Sequence, residues 1–260
     1  MSKIFENQPK IRAFMKILFA PSETKKEGGN YSPLIDSTFF LYHDKKQFVL
    51  DKYHHYLKSA TPTQLAKLFG IKKESEIKKY QDIDIYHDKT MPAIERYTGV
   101  AYDYLDYPTL AQKEQKFIDE SLIIFSNLLG AIKAGENIPN YKLKQGEKLG
   151  DFAIEKFYKN ETSALLNDYL KDELIIDLRA GFYDKFYLPN KPYITMKFIK
   201  NGKVVSHWAK AYRGKVLREL AKYQPQSEEA FCDITFKNLK IKEILTKGYK
   251  KEFVYEIIEG

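Results

Sequence analysis

The stretch Leu122–Ser126, LIIFS, holds four large apolar residues in a row, with no alternation toward a polar face. A strand with one wet face reads apolar–polar–apolar, so an unbroken apolar run belongs to a strand covered on both faces, near the middle of a sheet. Glu173–Leu178, ELIIDL, repeats the pattern, and Lys16–Ala20, KILFA, precedes both. Helical patterns lie between and after them. Phe48, Val49, Tyr53, Tyr56 and Leu57 recur at helical spacing over Lys45–Ser59, and TLAQKEQKFIDESL and NETSALLNDYLKD read as further helices. YITMKFIKNGKVVSHW, Tyr193–Trp208, places two alternating runs around Asn201-Gly202, the signature of a hairpin with a type I′ turn. A helix from about Ala209 to Tyr223 follows, and the tail KEFVYEII ends in strand character. Asn127–Gly146, punctuated by glycines and Pro139, reads as loop. The expected fold is one α+β domain over residues 15–260, a mixed sheet with helices around it. Residues 1–14 read as a flexible extension ahead of the first strand.

The chain has 260 residues, 43% of them hydrophobic and 15% aromatic, which suits a packed core and not a disordered segment. No apolar run approaches the roughly 18 residues of a membrane helix, and no signal peptide is visible. One cysteine, Cys232, excludes an internal disulfide and a cysteine-rich metal site and fits a reducing cytoplasm. The formal charge of +8 points to an anionic partner, nucleic acid first, although lysine-rich solvated faces give the same balance. Only five of the 43 basic residues are arginine. Where lysine supplies most of the charge, a planar and bidentate guanidinium marks a specific task.

Three stretches carry candidate chemistry. In Leu65–Tyr80, LAKLFGIKKESEIKKY, a helix opened by Thr61 as N-cap and Pro62 at its first position stops at Gly70, and a second short helix runs from about Lys73 to Tyr80. This is either a plain helical corner or a helix-hairpin-helix that grips DNA backbone. Directly after the first strand, Ser22, Thr24, Lys25 and Lys26 form either an anion-binding loop or an ordinary surface turn; the spacing is not that of a P-loop. In HWAKAYRGKVLRELAKY, Ala209, Arg213, Val216, Leu220 and Tyr223 share one helical face, with Lys215, Arg218 and Lys222 opposite. Arg213 in that apolar stripe is either a core tie or a cleft-wall residue that receives phosphate, and Gly214 beside it calls for a close approach by ligand or backbone. His43, His54, His55, His87 and His207 lack metal-ligand spacing, and Asp82, Asp84, Asp88 and Glu95 read as a solvated acidic loop more readily than a divalent site. No nucleophile elbow appears.

Five segments in order resemble the YaaA family of bacterial peroxide-stress proteins. Pro21, Thr24 and Lys25 match its loop after the first strand, with Glu23 a departure. Tyr97-Thr98-Gly99 matches its Tyr-Thr-Gly. Ser126, Leu128, Gly130, Ile138, Tyr141 and Leu143 match a third segment, in which Lys133-Ala134 replaces the family's Arg-Pro. Leu178, Tyr183 and Lys185 match a fourth, and Lys210, Arg213 and Gly214 a fifth. The resemblance implies a single mixed-sheet domain and a cytoplasmic DNA-binding protein with a basic cleft and a helix-hairpin-helix, linked to peroxide resistance, DNA repair and lowered free iron. It implies no secure enzymatic activity, no cofactor and no metal ligands.

On that basis Gly70, Lys72, Lys73, Lys25, Arg96, Arg179, Lys185, Lys210 and Arg213 are the candidate DNA contacts. Pro21, Ser22, Thr24, Tyr97, Thr98, Gly99, Ser126, Tyr141, Tyr183 and Gly214 are the candidate cleft lining. The expected partner is duplex or junction DNA held through its backbone, with no membrane partner. The rival reading is an enzyme acting on a nucleic acid, a nucleobase or a small phosphorylated substrate in the same cleft, and a third is an iron-binding protein.

Overall fold

The computed structural model describes residues 15–258, except the side chains of Ser206 and His207; the extension expected at residues 1–14 lies outside them. The strands are β1 (Met15–Phe19), β2 (Met91–Pro92), β3 (Leu122–Ser126), β4 (Gly130–Lys133), β5 (Asn137–Ile138), β6 (Leu174–Asp177), β7 (Tyr193–Lys200), β8 (Lys203–Val204), β9 (Leu239–Lys247) and β10 (Lys250–Ile257). The α-helices are α1 (His43–Ser59), α2 (Pro62–Phe69), α3 (Glu74–Gln81), α4 (Ala93–Arg96), α5 (Val100–Leu105), α6 (Gln112–Ser121), α7 (Ile154–Leu170), α8 (Ser206–Tyr223) and α9 (Glu228–Cys232). The main sheet runs β4-β3-β1-β6-β7-β10-β9, with β8 on β7, and β2 and β5 pair separately.

The three apolar runs form the middle of this sheet. β1 pairs in parallel with β3 on one side and β6 on the other, and every residue of β1 and β3 is buried. β6, β7 and β10 continue the parallel core, while β4 and β9 close the edges antiparallel. The fold is therefore a single α+β domain on a mixed sheet. α7 buries Ile154, Tyr158, Thr162, Leu166 and Leu170, a strict fourfold spacing that turns one stripe inward. The hairpin turn at Asn201-Gly202 has φ of +51° and +73°, as a type I′ turn requires. Its second arm is only two residues long, because α8 begins at Ser206.

Four expectations need correction. Asn127–Gly146 is not all loop: Gly130–Lys133 is the edge strand β4 and Asn137–Ile138 is β5. α7 starts at Ile154, ahead of NETSALLNDYLKD. Tyr223 is exposed at the end of α8 and does not continue the buried face of Ala209, Val216 and Leu220. Arg218 does not stand in solvent, since its guanidinium donates to the carbonyls of Leu105 (2.7 Å) and Asp106 (3.0 Å) at the end of α5.

The corner at Gly70 joins two eight-residue helices. Thr61 caps α2 in a reciprocal capping box with Gln64. Gly70 closes it at φ +67°, with its own amide bonded to the Lys67 carbonyl and that of Ile71 to Ala66. Those bonds satisfy the helix's last carbonyls, as in a left-handed C-cap. Leu65, Leu68 and Ile77 are buried at the corner.

Candidate functional site

The chain leaves β1 toward β3 on one side and later returns to β6 on the other. Such a reversal opens a crevice outside the carboxyl ends of the two central strands, where open α/β sheets take their ligands. A cleft of about 530 Å³ lies there. Phe19 and Ala20 at the end of β1 and Leu178 and Ala180 after β6 form its base. The loop Pro21–Thr24 makes one wall, residues Thr98–Tyr102 another, and Lys210 and Arg213 of α8 a third, with Tyr183 and Gln145 completing it.

Local bonds fix these walls. The Ser22 and Thr24 hydroxyls are 3.0 Å apart, and Thr24 donates to the Thr98 carbonyl (3.0 Å) while the Thr98 amide donates to that of Thr24 (3.2 Å). Both hydroxyls stand over Gly99, within about 3.3 Å of where a side chain would begin. Glu23 ties the loop to the opposite segment, its carboxylate accepting from the Gln145 amide at 3.0 Å. Tyr102 donates to the Ala20 carbonyl (2.9 Å), and Tyr183 to the side-chain carbonyl of Asn127 (3.0 Å).

Pro21, Ser22, Thr24, Thr98, Gly99, Tyr183, Lys210 and Arg213, far apart in sequence, thus come together. Tyr97, Ser126 and Tyr141 do not line the cleft. They form a buried layer of linked hydroxyls, 2.8 Å from Tyr97 to Tyr141 and 2.7 Å from Tyr141 to Ser126. Burial raises the phenols of Tyr97 and Tyr141, the latter to about 12. Lys25 lies over this layer, its ammonium 3.9 Å from the Tyr141 ring centre and 5.2 Å from that of Tyr97. Gly214 faces away from the cleft: a Cβ there would stand 2.1 Å from the Ala101 carbonyl oxygen, so the close approach is by the backbone of α5.

The arginines divide. Arg96 is wholly buried and donates to the carbonyls of Lys26 (2.7 Å), Gly28 (2.6 Å), Lys89 (3.4 Å) and Ile138 (3.3 Å), so it ties loops together and does not reach a surface. Arg179 is buried in a bidentate pair with Asp177 (2.9 and 2.7 Å) and donates to the Tyr183 and Tyr187 carbonyls. Neither guanidinium is free for a phosphate. Arg213 forms no hydrogen bond among the described residues, and its Nε is buried without a partner. Burial lowers its pKa; the carboxylate acting on it, Asp177, is already held by Arg179.

Lys185 is exposed beside the Phe182 ring, outside the cleft lining. Gly70, Lys72 and Lys73 form a separate exposed corner. It abuts the cleft through one segment: the Lys144 amide donates to the Leu68 carbonyl (2.8 Å), the Lys144 stem packs over Gly70, and the next residue, Gln145, lines the cleft. In the acidic loop, Asp84 accepts from the amides of Tyr86 and His87 and pairs with the His87 ring at 2.9 Å. Among the described residues no group of three His, Cys, Asp or Glu could hold a metal ion, and no helix is long and apolar enough to cross a membrane. Sequence reasoning missed Tyr102, Glu23 and Gln145. Their cleft roles come from chain crossings that leave no local pattern.

Comparison with known proteins shows the family. Residues 15–245 match the family model described as peroxide stress protein YaaA. A Campylobacter jejuni protein is 48% identical over 250 residues, covering 94% of this chain and all of its own length. A UPF0246 protein of Corynebacterium efficiens is 34% identical over 80% of this chain and 85% of its own, and one of Fusobacterium nucleatum 27% identical over 93% and 98%. The chain belongs to the YaaA family of peroxide stress proteins.

Proposed function

We propose that the chain is a cytoplasmic DNA-binding protein of the peroxide stress response, holding duplex or branched DNA by its backbone and reading little sequence. The observation that carries this reading is Arg213, a guanidinium at a cleft wall with no hydrogen-bond partner among the described residues. A buried unpaired charge is costly, and a phosphate that arrives with the ligand relieves that cost by accepting two parallel hydrogen bonds. Lys210 beside it and the Ser22 and Thr24 hydroxyls across the cleft supply further partners for phosphate oxygens. The corner of Gly70, Lys72 and Lys73 adds a second, exposed anion-binding surface next to the cleft, and Lys142 and Lys144 lie on the connecting segment. Two separated phosphate sites suit a polymer better than a small anion.

The test is a salt titration of binding to one duplex and to an unrelated duplex. Affinity falls steeply with salt and differs little between sequences if the protein grips the backbone. Equal affinity at low and high salt sinks the reading. A second reading, an enzyme on a phosphorylated substrate, is favoured by one observation: the cleft volume of about 530 Å³ lies within the range of small-molecule sites.

A further inference from the structure

Lys25, just outside the cleft lining, has a setting that suits a reaction better than a static contact. Its ammonium rests on the rings of Tyr141 and Tyr97, and its single hydrogen bond is long, 3.4 Å to the carbonyl of the cleft-lining Ser22. Among the described residues it forms no ion pair. A backbone bridge between Lys25 and Tyr97 holds it in place. The hydroxyls below have a set direction. Ser126 Oγ accepts from the amides of Leu128 (3.2 Å) and Leu129 (2.9 Å), which leaves its own proton for the Tyr141 oxygen, and Tyr141 then donates to Tyr97.

We propose that the Lys25 amine is a nucleophile toward an aldehyde carried on a phosphate-bearing molecule, with the phosphate seated at Arg213 and Lys210. This rests on the reading of the cleft as a phosphate site. The neutral amine adds to the carbonyl carbon, a proton passes to the carbonyl oxygen, and water leaves as the C=N bond forms; no oxidant or reductant is needed. The proton that the departing oxygen requires comes from water, since the buried Tyr97 phenol is a weakened acid. Burial lowers the Lys25 pKa to about 7, helped by the positive charges of Lys142 and Arg96 and opposed by Glu23. About half the amine is then neutral at pH 7, against well under a hundredth for an ordinary lysine. Two sources share the chemistry: the opened deoxyribose left in DNA when a base is lost, and a free sugar-phosphate aldehyde.

Trapping with cyanoborohydride, which reduces the imine to a stable secondary amine, tests the proposal on the full chain. The probes are a duplex with one abasic site, the same duplex intact, glyceraldehyde 3-phosphate and phosphate-free glyceraldehyde, with the adduct mapped by mass spectrometry. Lys25 is expected to carry on the order of a thousandfold more adduct than any exposed lysine at pH 7, following its neutral fraction. Yield should rise with pH to a midpoint near the pKa of Lys25, about 7. Lys25→Met, folded by circular dichroism, abolishes trapping, and Lys26→Met keeps it. More adduct from the abasic duplex assigns the DNA source, and more from glyceraldehyde 3-phosphate the free one. Adduct spread over surface lysines, or persisting in Lys25→Met, overturns the proposal. Adduct confined to Lys25 but equal with and without phosphate, and unaffected by Arg213→Ala, overturns the phosphate seat and with it the reading of the cleft, while leaving the amine chemistry intact.

Discussion

Arg179 and Arg213 border the same small cavity, of about 250 Å³, yet of the two only Arg179 has hydrogen-bond partners among the described residues. Arg179 has a bidentate carboxylate, two carbonyls and the face of Phe125, its guanidinium carbon 4.3 Å from the ring centre. Arg213 has a buried Nε with no acceptor. Equal charge on neighbouring elements therefore serves two ends. A guanidinium that the fold completes holds the sheet's carboxyl edge together, and one that it leaves incomplete is available to something from outside.

The largest expected effect breaks that comparison on the Arg179 side. Arg179→Ala strands Asp177 as a buried, unpaired carboxylate and should cost about 3–5 kcal/mol of stability in urea unfolding. A loss under about 1 kcal/mol would mean the pair is solvated and the contrast false. Arg213→Ala should instead unfold near the wild-type midpoint but weaken duplex binding by about 10- to 100-fold, the worth of a charged hydrogen bond. Arg213→Lys should restore only part, because a point charge cannot make the paired bonds of the fork. If Arg213→Ala lowers stability and leaves binding of the folded fraction unchanged, Arg213 is a core tie like Arg179.

The corner at Gly70 sharpens the contrast between cleft and surface. Lys72→Ala with Lys73→Ala should reduce the slope of log affinity against log salt by roughly 1–2 units, about 0.9 for each phosphate that the lysines neutralise, at any DNA sequence. An unchanged slope reduces the corner to a join between helices. The last effect is a pH slope. Lys25 titrates near 7 in the folded chain instead of at its ordinary 10.5, so between those values the unfolded chain carries a proton that the folded chain has released. Stability therefore rises with pH across that window, and the gain is absent below pH 7. Lys25→Met should flatten the rise, measured by urea unfolding at successive pH values. Lys46, wholly buried against the rings of Phe39 and Tyr42 and lowered to about 8, slopes the same way and keeps a remainder in the variant. Identical slopes in wild type and Lys25→Met would place Lys25 in solvent.

The two lysines also show what the sequence could and could not reveal. β1, β3 and β6 were legible because burial on both faces forces apolar residues at every position, and the Asn201-Gly202 turn because only a few residues accept two positive φ values in succession. β4 and β9 were not. β4 is four residues beside a glycine, and β9 is exposed at every position after Leu239, so neither imposes a pattern. Of the cleft, the loop after β1 and Arg213 on its helix were legible from residue pattern and the rest through the family resemblance, but not the fate of its arginines. Arg96 is satisfied by four backbone carbonyls, and a carbonyl has no signature in the sequence. Lys46 has Glu136 at 3.8 Å, while Lys25 forms no ion pair among the described residues, a distinction made by the fold alone.

Gly214 has one more consequence. With the Ala101 carbonyl so close that even a methyl group cannot intervene, α5 and α8 are seated backbone to backbone, and Arg218 clasps the far end of α5 at Leu105 and Asp106. The two helices carry two of the cleft's three walls, Thr98–Tyr102 and Lys210 with Arg213. They move as one piece, so the cleft has no hinge between them. The wall at Pro21–Thr24 is held separately, with the hydroxyl of Thr24 and the carboxylate of Glu23 acting as latches. A guest too wide for the cleft would have to break those two latches.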